Sequence, residues 1–203
     1  MRPFLKQPLI LTSCVLLAFS LYFYLGVERL KRQFDQGQAI LFDTGESVSV
    51  QAVIDGNELA IRGDGGKTTI VRLLGIKTLE SSGNDFTDSR YAQLAMDYLQ
   101  NKVVGAQAKI AVGPTKIDPR GRLLAYVELV EADADEKDVG AQLVSQGLAV
   151  TFTKYPAPRE ERYLGLEALA RQAKEGLWSS SKLTQEVLRK RTIWEQFRAE
   201  GGQ

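Results

Sequence analysis

The chain has 203 residues with 26 Lys+Arg against 25 Asp+Glu, and its net charge of +1 supplies no bulk attraction to nucleic acid. It contains no histidine, which excludes imidazole bases and His-ligated zinc, and its single cysteine, Cys14, excludes intrachain disulfides and thiolate metal clusters. A catalytic base would have to be a carboxylate or a lysine, and the length suits one domain of about 130 to 150 residues with extensions.

Leu9 to Val27 is an uncharged apolar stretch, long enough to span about 28 Å as a helix, close to the hydrocarbon thickness of a bilayer. Tyr22, Phe23 and Tyr24 near its end suit an interfacial aromatic belt. The expectation is an uncleaved transmembrane anchor over residues 1–27; a cleaved signal peptide is the alternative, with Ala18-Phe19-Ser20 a poor cleavage site. Basic residues on both flanks, Arg2 and Lys6 before and Arg29, Lys31 and Arg32 after, leave the side of the membrane open. Residues 28–46 read as a polar juxtamembrane linker.

From Ser47 the pattern changes to period two. Val48, Val50, Ala52 and Ile54 alternate with less apolar neighbours as a half-buried strand, and Asp55-Gly56-Asn57-Glu58 turns into a return strand at Leu59. After Gly63-Asp64-Gly65-Gly66 a third strand is expected over Thr68–Ile76. Residues 88–103 switch to helical spacing through Tyr91, Leu94, Ala95, Tyr98, Leu99 and Val103, with Asp88 as N-cap and Gly105 as stop. Ala106–Val112 and Arg122–Val130 read as two further strands, and the acidic run Glu131–Asp138 as a solvated hairpin tip. A short helix follows with Val139, Leu143 and Val144 inward, then an amphipathic helix over Arg159–Glu175 carrying Leu164, Leu166, Ala168 and Leu169. The segment 181–203 is a charged amphipathic tail with Leu183, Val187, Leu188, Trp194 and Phe197, expected either to pack back on the domain or to bind a partner.

The predicted fold class is therefore α+β, mainly β: a five-stranded OB-fold-type β-barrel with three packed helices over residues 47–180, an N-terminal transmembrane helix and a C-terminal helical extension.

Val53-Ile54-Asp55-Gly56, Arg72-Leu73-Leu74-Gly75-Ile76, Gly121-Arg122-Leu123-Leu124-Ala125-Tyr126, Leu143 to Ala149 and Gly176-Leu177-Trp178 occur in an order that resembles the staphylococcal-nuclease-like (thermonuclease) family. The resemblance implies the same barrel and, in the nucleases, a calcium ion between two aspartates, two arginines on the scissile phosphate and a glutamate that helps activate water. It would assign the arginine roles to Arg72 and Arg122, the glutamate to Glu80, a metal-shell oxygen to Thr78, an aspartate beside the second arginine to Asp118 and a nucleotide contact to Tyr155. The departures fall on the metal. Asn57 stands for the first aspartate, Glu58 for the threonine after it, Lys77 for the second aspartate and Leu79 for the proline before Glu80.

Replacing aspartates with Asn57 and Lys77 moves the metal position toward positive charge. An ammonium about 4 Å from a cation costs on the order of 4 kcal/mol per unit charge at an effective dielectric of 20, and hard cations want anionic oxygen. Lys77 can approach a phosphate, but it cannot lower the pKa of a bound water as a metal does.

The expectation is a single-pass membrane protein whose domain is catalytically impaired and holds no metal, acting as a binding or assembly module in a membrane-associated complex. Arg72, Glu80 and Arg122 would be family-matched but non-catalytic, with Lys77, Asp118 and Tyr155 facing a ligand. Protein partners would engage the anchor or tail, and nucleic acid only weakly. The rivals are a membrane-anchored, calcium-dependent nuclease and metal-free nucleic-acid or nucleotide binding in the barrel cleft.

Overall fold

The computed structural model describes residues 42–79, 89–134 and 136–201. Their elements run β1 (Ser47–Asp55), β2 (Glu58–Gly63), β3 (Thr68–Leu73), β4 (Ile76–Thr78), α1 (Ser89–Lys102), β5 (Gln107–Ile117), β6 (Leu123–Leu129), α2 (Val139–Ser145), β7 (Ala149–Thr151), α3 (Glu160–Ala173) and α4 (Ser181–Ala199). The apolar stretch 9–27, most of the linker, Glu80 and the expected cap Asp88 lie outside the described residues. Among the described residues no helix is long and apolar enough to cross a membrane.

Alternation builds the barrel. Val48 and Val50 of β1, Leu59 and Ile61 of β2, Val71 and Leu73 of β3, Ala108 and Ile110 of β5, and Leu123, Ala125 and Val127 of β6 fill its interior. Burying each of the larger aliphatics is worth about 1.5–3 kcal/mol. The strands close in the order β1-β2-β3-β6-β5. All neighbours are antiparallel except β3 and β6, which pair in parallel from Val71–Leu123 to Leu73–Ala125. Closure leaves this sheet without an edge to template aggregation.

α1 and the turn that follows it lay Ala95, Leu99 and Val103 against the barrel core, and α2 adds Val139, Leu143 and Val144. A second apolar cluster joins Leu79, Tyr91, Val150, Ala170, Leu177 and Trp178 to Leu183, Val187 and Trp194 of α4. The two clusters are bridged where the chain crosses itself at Gly147 and Gly176, with Leu177 N–H donating to the Gly147 carbonyl at 2.9 Å. Both glycines have positive φ, and a Cβ on Gly147 would stand 2.2 Å from the Glu175 carbonyl oxygen. The spacing between the two motifs therefore has a steric cause.

Several expectations are corrected. The third strand stops at Leu73: Gly75 turns the chain at φ +79°, and β4 leaves the barrel to pair with β7 as a separate two-stranded sheet. β5 runs on to Ile117 with an irregular stretch after Val112. Leu94 and Leu169 are 40% and 63% exposed; the inner face of α3 is instead Tyr163, Glu167 and Ala170. Asp138 is no solvated loop residue. It is buried, caps α2 through the Ala141 N–H at 3.0 Å, and accepts hydrogen bonds from Tyr163 Oη at 2.8 Å and Arg159 at 2.7 Å.

The tail packs back on the domain. Arg191 of α4 forks onto the buried Glu167 carboxylate at 2.6 and 2.7 Å, and Glu167 also accepts from the Thr151 N–H of β7 at 2.7 Å. Arg198 forks onto Glu160 at the start of α3, at 3.0 and 2.6 Å. Planar guanidinium–carboxylate pairs of this kind fix orientation as well as proximity.

Candidate functional site

A cleft of about 490 Å³ opens where four chain segments meet. The β1–β2 turn brings Asp55, Asn57 and Glu58; the end of β3 brings Arg72; β4 brings Lys77 and Thr78; the β5–β6 loop brings Asp118, Pro119, Arg120 and Arg122. The turn is tight because Asp55 and Glu58 are paired across it, with Gly56 and Asn57 at its tip, and the Asp55 carboxylate accepts the Gly56 N–H at 2.7 Å. A Cβ on Gly56 would stand 2.9 Å from the Thr78 hydroxyl oxygen, so the turn and β4 are pressed together. The β3–β6 pairing sets Arg72 opposite Leu124, two residues beyond Arg122.

Arg122 is the hub. Its Nε donates to Asp118 Oδ2 at 2.8 Å, one terminal nitrogen also bonds Asp118, and the other bonds Glu58. Asp118 further accepts the backbone N–H groups of Arg120 at 2.9 Å and Arg122 at 3.1 Å, and lies 3.7 Å from the Arg72 guanidinium. Burial alone would raise the Asp118 carboxyl pKa, but the Arg122 side chain and these two N–H donors outweigh it and hold it below the ordinary carboxylate value. Arg72 is held below the usual arginine value, first by burial and then by the Arg122 cation, against the pull of Asp118 and Glu58. Its guanidinium lies 5.9 Å from the Phe152 ring centroid, at the outer edge of cation–π range.

Arg72, Arg122, Asp118, Lys77, Asn57 and Thr78, spread over 66 positions of sequence, line this one cleft. Tyr155 does not line the cleft; its ring packs edge-on to Phe152 and Phe197, both at 6.0 Å. Sequence reasoning missed the clamp role of Glu58 and the placement of Phe152 beside Arg72. The signal for Glu58 was its position after Asn57, which sets it directly opposite Arg72 in the β2–β3 register.

No three acidic or cysteine side chains among the described residues converge as a metal-holding group. Glu58 and Asp118 are engaged by Arg122, Asn57 presents a neutral amide whose nitrogen makes a long 3.5 Å contact to the Ile76 carbonyl, and Lys77 adds an ammonium to the lining.

A closed five-stranded barrel with packed helices and a cleft of arginines and carboxylates defines an OB-like domain of the nuclease type. The chain belongs to the family described as Staphylococcal nuclease homologue, whose model matches residues 70–180. It is 34% identical over 122 residues to a protein of Schizosaccharomyces pombe named as a probable endonuclease, a match covering 57% of this chain and 52% of that protein. It is 32% identical over 120 residues to the Saccharomyces cerevisiae protein named "Probable endonuclease LCL3", covering 57% and 43%, and 28% identical over 141 residues to "Endonuclease YhcR" of Bacillus subtilis, covering 65% and 11%. The matches thus span about half or less of these relatives.

Proposed function

We infer that this member of the nuclease family is catalytically impaired and works as a metal-independent binding module, held at a membrane by residues 9–27. The reading is supported by one observation: Asn57 and Lys77, which the resemblance matches to the nucleases' metal-binding aspartates, line the cleft beside carboxylates already paired with Arg122. A divalent ion there would meet an ammonium and lose two anionic ligands. Arg72, Lys77, Arg120 and Arg122 instead give the cleft a cationic wall suited to an anionic group. Assembly with membrane partners would use the anchor and the outward side of α4, where Leu188 and Ile193 are exposed.

The endonuclease names of the relatives favour a second reading, a metal-dependent phosphodiesterase that keeps Arg72 and Arg122 and uses Glu80 as its base. Cleavage of single-stranded DNA by the full chain, with and without added calcium, separates the two. Calcium-dependent cleavage lost in Glu80→Gln establishes the nuclease. No cleavage under either condition supports the binding module.

A further inference from the structure

We propose that Glu58 is a built-in counter-anion for Arg122, and that the cleft consequently selects phosphomonoester dianions over phosphodiesters. The inference rests on the cleft being a metal-free anion site and adds the class of ligand it takes.

All three nitrogens of Arg122 are engaged from within the chain, through three of its five N–H donors: Asp118 takes Nε and one terminal nitrogen, and Glu58 takes the other. Asp118 is built into the loop by two backbone N–H groups, so it is not the partner that leaves. The Glu58 carboxylate is held by the Arg122 side chain, and it sits at the mouth of the turn opposite Arg72. An anion that takes a forked grip through the terminal nitrogen held by Glu58 therefore competes with that carboxylate.

The exchange is decided by charge. A phosphodiester carries one negative charge, so it replaces one monoanion with another and gains nothing by Coulomb attraction. The displaced carboxylate stays nearby and repels it. A phosphomonoester carries about −1.5 to −2 at neutral pH and three strong acceptor oxygens. Its extra charge meets Arg72, Arg120 and Lys77 in the same lining. Planar forks also match terminal phosphate oxygens in pairs. Glu58 thereby turns a general phosphate grip into one that responds to terminal phosphates.

The test is calorimetric titration of the full chain with methyl phosphate and with dimethyl phosphate at about pH 8, where the monoester is dianionic. Wild type is expected to bind the monoester at least about tenfold more tightly. Glu58→Gln is expected to raise dimethyl phosphate affinity about tenfold and to narrow the ratio, with its unfolding midpoint recorded as a control on folding. Equal binding of the two anions by wild type overturns the proposal without needing any variant, as does an unchanged ratio in a folded Glu58→Gln protein. In both cases the cleft survives as an anion site. No binding of either anion, by wild type or by Glu58→Gln, overturns the binding reading along with it.

Discussion

Glu58 and Arg122 lie 64 residues apart in sequence and share an ion pair at the cleft, with their side chains 14% and 9% exposed. Glu58 adds a carboxylate to a cleft whose lining also holds the neutral Asn57 amide and the Lys77 ammonium. The three residues are thus physically related: each sets the charge of one small volume, and the Glu58 carboxylate offsets part of the positive charge there.

Asp118 anchors this arrangement, and its lowered pKa makes it a source of pH-dependent stability. A carboxyl whose folded pKa lies below its unfolded value stabilises the fold above the unfolded pKa and loses that contribution as pH falls through the folded one. Stability of the wild type should therefore fall on acidification below the ordinary carboxylate range, and Asp118→Asn should flatten this part of the curve. At neutral pH the variant should lose stability near the lower end of about 3–5 kcal/mol, because Arg122 keeps Glu58. Urea unfolding at a series of pH values reads both.

Tyr163→Phe removes the hydroxyl that donates to Asp138 Oδ1 while leaving the ring in place. Asp138 retains the Ala141 N–H and Arg159. The expected loss is about 1–3 kcal/mol, seen as a lower urea midpoint with an unchanged slope.

The tail should behave as part of the domain. Trp194 packs edge-on to Phe152 at 4.9 Å and belongs to the second apolar cluster. Trp194→Ala should cost about 3–5 kcal/mol in chemical unfolding, and Arg191→Ala should destabilise further by leaving buried Glu167 without its counter-ion. A helix held free for a partner would show neither effect.

Gly147→Ala should be among the most damaging small substitutions. It demands a left-handed residue with a side chain and sets that Cβ against the Glu175 carbonyl. Backbone strain alone is worth about 1–3 kcal/mol, so the variant should show a lowered thermal midpoint even before the clash is counted.

The barrel strands were legible because alternation is a local signal, whereas Arg72, Arg122 and Asp118 were singled out only by the family resemblance. The small sheet was not legible. β4 and β7 are three residues each, and β4 continues the apolar run of β3, so only the Gly75 turn marks the break. The burial of Glu167 was not foreseen, and Asp138 was misread, for a different reason. Each is a charged residue made buriable by an arginine distant in sequence, Arg191 for one and Arg159 for the other. No window of sequence contains both partners. The same applies to Glu58, whose meaning depends on Arg122.

The central claim is that Asn57 and Lys77 have removed the divalent-ion site. Calcium titration of the full chain, beside the double variant Asn57→Asp/Lys77→Asp, tests it most directly. The account predicts no calcium binding by wild type at millimolar concentration and measurable binding once both aspartates are present. Saturable calcium binding by the wild type, accompanied by cleavage of single-stranded DNA, would contradict it and make the chain a working nuclease.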